Sequence, residues 1–424
     1  VSSFRFIHTG DIHLDSPLKG LAGQDGHAAE LIRTATRTAF DGLVSQAIAE
    51  EVAFVVIAGD LYDGDWRDYQ TGLFFVRQMG RLAKAGIPVF LLHGNHDAES
   101  QITRRLVLPE NVRVFSSRRP QSFTLEEYGV VLHGQSFRQR DITDNLVSAY
   151  PEPVAGAFNV GVLHTGLGGM GGHANYAPCA LADLVGKGYD YWALAHVHQA
   201  QVLCKTPHVV FCGNLQGRHI RETGPKGACL VHVEDGRLRD ISPLHTDVVR
   251  WAVLTVAANG CLHITDLVDR LRQVIETAAA AAESRLIACR IELTGSTELH
   301  GQLLGSAEHL LAEARAAALA VGGGEAAWIE RVVVSTRLPD DPETIALRKE
   351  ALGDLRRILA EAPLDNDLRG QLTSDLGEFV RRLPPEVRAD SEDTVLKALI
   401  DSDYDSLITY AGDYLAARLA MEGN

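Results

Sequence analysis

The chain has 424 residues, 46 % of them apolar, and a net charge of −15, an ordinary globular composition with room for two or three domains. The acidic balance excludes the broad basic footprint by which a stand-alone DNA-binding domain holds the phosphate backbone. No apolar run approaches spanning length and no basic segment leads into an apolar one at the start, so no membrane association is expected and a cytoplasmic location is.

The elements, taken in order, alternate. Strands are expected at 4–8, 52–57, 88–92, 129–134, 159–163 and 190–195, with amphipathic helices at about 28–50 and 70–85, and strand pairs at 200–212 and 228–241. This is an α/β pattern and it defines a first domain over 1–245. From Val249 a βαβαβ series follows (249–257, 264–282, 285–294, 306–321, 328–335), consistent with a small α/β domain over 246–338. Asp341 and Pro342 look like a helix N-cap and first helical position. The segment 341–424 then reads as all helix, with Leu352, Leu355 and Leu359 on one face, Leu368, Leu372, Leu376, Phe379 and Leu383 on another, and Leu407, Tyr410, Tyr414 and Leu415 on a third. It holds 18 Asp/Glu against 10 Lys/Arg, so a protein partner suits it better than nucleic acid. Either a packed appendage or a docking module fits this composition. The six cysteines stand singly in apolar surroundings, which points to buried free thiols.

Chemistry concentrates where strands of the first domain end. Phe54-Val-Val-Ile57 stops at Gly59 before Asp60 and Asp63; by itself this is a core strand with a polar exit. The strand at 4–8 is followed by Asp11 and His13, that at 88–92 by Asn95, His96 and Asp97, that at 159–163 by His164, and that at 190–195 by His196 and His198. Each pattern alone is common. Together they would bury uncompensated polar groups at several points of one sheet edge unless something binds them. Imidazole, carboxylate and carboxamide donors suit manganese, iron, zinc or nickel, not an all-oxygen calcium site. Seven candidate ligands (Asp11, His13, Asp60, Asn95, His164, His196, His198) are too many for one ion. Two divalent metal ions about 3.5–4 Å apart, bridged by a carboxylate and a hydroxide, are the economical arrangement, and the resulting positive centre suits a phosphate. Arg218, His219 and Arg221 follow a late strand and are assigned to phosphate contact; solvated loop residues are the alternative. His173, in the loop 166–178, receives no role. No Gly-rich phosphate loop is present.

The ordered set Asp11/His13, Gly59-Asp60-Leu61-Tyr62-Asp63, Gly94-Asn95-His96-Asp97, His164 and His196-Val197-His198 resembles the calcineurin-like metallophosphoesterases, and among them the SbcD-type DNA repair nucleases. The stretches 8–21 (HTGDIHLDSPLKGL) and 213–227 (GNLQGRHIRETGPKG) look like the YhaO branch. The resemblance implies a β-sandwich flanked by helices, with a small α/β cap domain and an all-helical C-terminal segment. It implies that Asp11, His13 and His198 hold one metal, that Asn95, His164 and His196 hold the other, and that Asp60 bridges them. A shared hydroxide would attack phosphorus in line. His96 would stabilise or protonate the leaving oxygen, Asp97 would orient its ring, and Asp63 would support the ligands without binding metal. The implied function is a manganese-dependent DNA phosphodiesterase, the exo/endonuclease subunit of an SbcCD-like complex. It would act as a homodimer beside a large coiled-coil ATPase that docks on the C-terminal helices. A phosphoesterase for small esters or cyclic nucleotides is the first alternative, and a non-catalytic binding subunit the second.

Overall fold

The computed structural model describes residues 3–16, 27–63, 69–99, 106–168, 176–322, 325–339, 357–358, 361–362, 366–383 and 394–422. His173, the turn at Asp341 and Pro342, and the leucine face at 352–359 lie outside them. The chain divides into two compact units, 1–252 with 279–289 and 324–328, and 253–278 with 290–323 and 329–424.

In the first unit β1 (Phe4–Thr9), β2 (Phe54–Ile57), β3 (Val89–Leu91) and β4 (Val112–Val114) pair in parallel, in that order. β11 (Gly227–Glu234) and β12 (Arg237–His245) extend the other side of β1 antiparallel, which completes a six-stranded sheet. A second six-stranded sheet contains β5 (Gln121–Leu125), β6 (Val130–Gly134), β7 (Phe158–His164), β8 (Tyr191–Ala195), β9 (Gln201–Lys205) and β10 (His208–Phe211), in the order β5-β6-β7-β8-β10-β9. Its central strands β6, β7, β8 and β10 are parallel.

The two sheets face each other across one core. Phe6, Phe54, Val56 and Phe90 from the first meet Leu132, Val160, Tyr191 and Val210 from the second. The alternate residues Ile7, Val55, Ile57 and Leu91 turn outward to Phe40 of α1 (His27–Ala49) and Phe75 of α2 (Tyr69–Lys84). Strand β2 is an unbroken apolar run because both of its faces are covered. On the far side Trp192 and Leu194 pack against Leu184 of the short helix Leu181–Gly186. The sandwich flanked by helices is therefore present, and the turns that leave β1, β2, β3, β7 and β8 gather at the carboxyl edges of parallel strands. The edge strands β4 and β5 escape a reading by apolar periodicity, because β4 is three residues long and β5 buries neither face fully.

Strands β13 (Val249–Ala257), β14 (Leu286–Ser296) and β15 (Ala327–Arg337) form a three-stranded sheet in that order. In the second unit the helix Ile264–Ala281 buries Leu267, Leu271 and Ile275, the i, i+4, i+8 stripe of an amphipathic helix. The last helix (Tyr404–Glu422) packs against the short helix His300–Gly305, so part of the tail is an integral layer of this unit. All six cysteines are free, and all but Cys204 are buried.

Candidate metal centre

Four of the strand-end residues stand on backbone that L side chains seldom adopt: Asp11 and His13 at φ 46°, Asp60 at 52° and His196 at 106°. Such conformations cost of the order of 1–3 kcal/mol each and persist only where neighbouring structure imposes them. Here Asp11 N donates to Gly59 O, Ile12 N and His13 N donate to Asp60 O, and Leu14 N donates to Leu61 O. The turns after β1 and β2 are thus knitted together. Glycine permits the closest approaches: a Cβ on Gly59 would lie 2.5 Å from His164 Nδ1, and one on Gly94 would lie 2.3 Å from Asp60 Oδ1.

Three overlapping clusters of candidate ligands result among the described residues, the third formed by His13, Asp60 and His96. Asp11, His13 and His198 bring one ligand atom each within 4.8 Å of one another, and Asp60, His164 and His196 do the same. In the first, Asp11 Oδ2 accepts from His196 N at 2.8 Å, while its buried Oδ1 takes no hydrogen bond among the described residues. The Nε2 atoms of His13 and His198 face each other at 3.3 Å. Burial, aided by the Arg218 charge, pulls the His13 pKa down to about 3, which keeps the ring neutral and its lone pair available. In the second, His164 Nδ1 donates to Ala58 O at 3.1 Å, leaving Nε2 directed at Asn95 Oδ1 (2.9 Å) and Asp60 Oδ2 (3.4 Å). Burial works against a charge on His164, but Asp60 more than offsets it and raises the pKa to about 9. The same pairing holds Asp60 well below the usual carboxylate range against the effect of its burial. Asp60 Oδ2 also lies 4.0 Å from His13 Nε2, so one carboxylate oxygen stands between the two clusters.

These donor sets fit divalent cations. Ligand atoms converge on common points, an aspartate oxygen is buried without a donor among the described residues, and a second ring nitrogen of His164 and of His198 is fixed by an outer acceptor. Phe137 and Tyr176 set ring edges against His164 and His196, each at 5.5 Å.

The expected pairing of His96 with Asp97 is corrected. Asp97 is buried and accepts from three backbone amides instead: Leu61 N (3.2 Å), Tyr62 N (3.0 Å) and Gly94 N (3.0 Å). It ties the turn after β2 to the turn after β3. The group that holds His96 is Asp63, whose Oδ1 lies 3.0 Å from His96 Nδ1 and 3.7 Å from His13 Nδ1. Burial disfavours a proton on His96, and the Asp63 hydrogen bond and charge outweigh it, so the pKa rises.

Arg218 reaches the centre as well, 3.8 Å from Asp63 Oδ2 and 3.3 Å from Ser16 Oγ. His219 is half-buried with Nε2 3.5 Å from Glu222, and Arg221 is exposed. Together with His198, Glu222 and Lys226 these residues line a cavity of about 770 Å³. Glu222 is a member of the site that the sequence reading passed over. It is buried, and its Oε1 accepts from His198 Nδ1 at 2.7 Å. Its only sequence signal is an acidic residue closing the basic run Arg218-His-Ile-Arg221.

Comparison with known proteins bears on the same residues. Residues 4–200 match the calcineurin-like phosphoesterase family, and residues 251–337 match the middle domain of the metallophosphoesterase YhaO. The uncharacterized metallophosphoesterase YhaO of Bacillus subtilis is 38 % identical over 240 residues, which is 56 % of this chain and 59 % of that protein's length. The DNA double-strand break repair protein Mre11 of Sulfurisphaera tokodaii is 23 % identical over 294 residues, 65 % of this chain and 71 % of its own. Among solved structures, a dimetal phosphatase from Danio rerio aligns at 11 % identity over 54 % of this chain and 92 % of its own, with a TM-score of 0.35, too distant to bear on function. The sandwich, the histidine–carboxylate clusters and the match over 4–200 agree: the first domain is similar to the calcineurin-like phosphoesterases, and the chain is similar to YhaO, of whose length it spans 59 %.

Proposed function

We propose that the chain is a manganese-dependent DNA phosphodiesterase, the nuclease subunit of an SbcCD-like repair complex. The hydrolytic part rests on one observation, the Asp60 Oδ2 atom set between His164 and His13 and hence between the two clusters. Two divalent ions held by Asp11, His13 and His198 and by Asn95, His164 and His196, with Asp60 shared, would supply Lewis acidity toward a phosphoryl oxygen and acidify water. The chain's own groups do the rest. His219, Arg221 and Lys226, in the cavity beside His198, receive the phosphate that flanks the reacting one. Asp63 fixes the His96 ring through Nδ1, which leaves Nε2 to serve the departing oxygen.

DNA as the substrate is supported by that basic cavity and by the relative that is named as a double-strand break repair protein. Docking of a coiled-coil ATPase on a homodimer, through the helices after 341, is supported by Phe379, Tyr410, Tyr414 and Leu415, which stay exposed on the tail. A net charge of −15 favours a second reading, a phosphoesterase for small esters. Hydrolysis of labelled duplex and single-stranded DNA is compared with that of bis-p-nitrophenyl phosphate in added Mn²⁺. Cleavage of DNA is expected, and turnover of the small ester alone would leave only the second reading.

A further inference from the structure

Glu222 does more than close a loop. Its two oxygens are both filled: Oε1 by His198 Nδ1 at 2.7 Å and by Arg218 at 3.4 Å, and Oε2 by Arg218 N at 2.7 Å and Asn214 Nδ2 at 2.8 Å. A carboxylate 24 residues beyond His198 therefore sets that ring's tautomer, with the proton on Nδ1 and the lone pair on Nε2, the atom that faces His13. The backbone of His198 is fixed separately, its carbonyl accepting from Lys226 Nζ at 2.9 Å. The ring orientation is thus the part left for Glu222 to decide. Arg218 then reaches from Glu222 to Asp63 Oδ2 at 3.8 Å, and Asp63 in turn holds His96. A carboxylate, a guanidinium and a second carboxylate connect a metal-ligand histidine to the leaving-group histidine.

We propose that Glu222 is a positioning residue for metal binding: through His198 it sets the affinity of the ion held by Asp11, His13 and His198, and through Arg218 it keeps Asp63 in place. The inference rests on the two-ion reading of the site. Outer partners of ligand histidines typically change metal affinity by about 10–100-fold when removed, because the ring loses both its orientation and part of its basicity. Glu222→Gln retains an acceptor for His198 Nδ1 but replaces an oxygen that accepts from Arg218 N and Asn214, so it should lie between wild type and Glu222→Ala.

The test is calorimetric titration of Mn²⁺ into the full chain after chelator treatment, with Co²⁺ absorption as a second readout of ligand geometry. The wild type is expected to bind two ions. Glu222→Ala should bind one of them about 10–100-fold more weakly and alter the bands of that ion alone, with Glu222→Gln intermediate. Two wild-type affinities in the folded Glu222→Gln protein would overturn the proposal, and that variant decides the matter if Glu222→Ala does not fold. A wild-type chain that binds no ion would overturn the metal centre itself, and the proposal with it.

Discussion

The His96 ring is held by Asp63, at 3.0 Å from Nδ1 to Oδ1, across a separation of 33 residues. It is not held by Asp97, its neighbour in sequence. If His96 serves the leaving group, His96→Ala should retain both ions and lose about 10²–10⁴-fold in turnover. Asp63→Ala should lose a comparable amount, and the double variant assayed at saturating metal should be no worse than His96→Ala, because the two residues then act as one unit. Losses that multiply would separate Asp63 from His96 and give it an independent role.

For Asp97 the expected consequence is structural. Its side chain accepts from Leu61, Tyr62 and Gly94 amides, and a buried carboxylate removed from three donors leaves all three unsatisfied. Asp97→Ala should cost about 3 kcal/mol or more in denaturant unfolding, with the loss present in metal-free protein as well. Unchanged stability alongside lost turnover would restore a direct catalytic role.

The contrast between these aspartates marks how far the sequence could be read. Strand ends were legible because apolar runs covered on both faces stop abruptly at residues such as Asp60 and His164, whose chemistry is rare in a core. Those turns converge on parallel strand ends, so residue type and order along the chain sufficed to collect them. Which carboxylate touches which ring depends on side-chain direction across turns 33 residues apart, and no spacing rule reports it. Glu222 was illegible for the same reason: a single glutamate in a polar loop becomes significant only once β10 and β11 carry that loop to His198. The last helix packs on His300–Gly305 while Tyr410, Tyr414 and Leu415 of its expected apolar face stay exposed and Ile408 is buried, so the apolar pattern does not report which side of that helix is covered.

Asp60 carries the sharpest test of the shared site. With its Oδ2 standing between His13 and His164, Asp60→Ala removes a donor from both clusters at once, whereas Asn95→Ala removes one from the second alone. Elemental analysis should find the Asp60 variant depleted of both ions and the Asn95 variant depleted of one. A fully loaded Asp60→Ala protein would show that the carboxylate is not shared.

His8 provides a pH dependence that is independent of metal. Wholly buried between the sheets with Nδ1 2.9 Å from the Tyr191 hydroxyl, it has its pKa pulled down by burial to about 3, with the Leu194 carbonyl opposing in part. In the unfolded chain it titrates near the ordinary value of about 6.5. Between those values the unfolded chain binds a proton that the folded chain refuses, so stability is complete above the upper value and declines as pH falls through the window. The slope is about 1.4 kcal/mol per pH unit, or roughly 2 kcal/mol lost at about pH 5. His8→Gln keeps a polar partner for Tyr191 but cannot titrate. Denaturant unfolding of the metal-free proteins at about pH 7.5 and about pH 5 should therefore show the wild type losing roughly 2 kcal/mol more than the variant. Equal losses would mean that His8 is protonated in the folded protein and that the inter-sheet core admits a charge at this point.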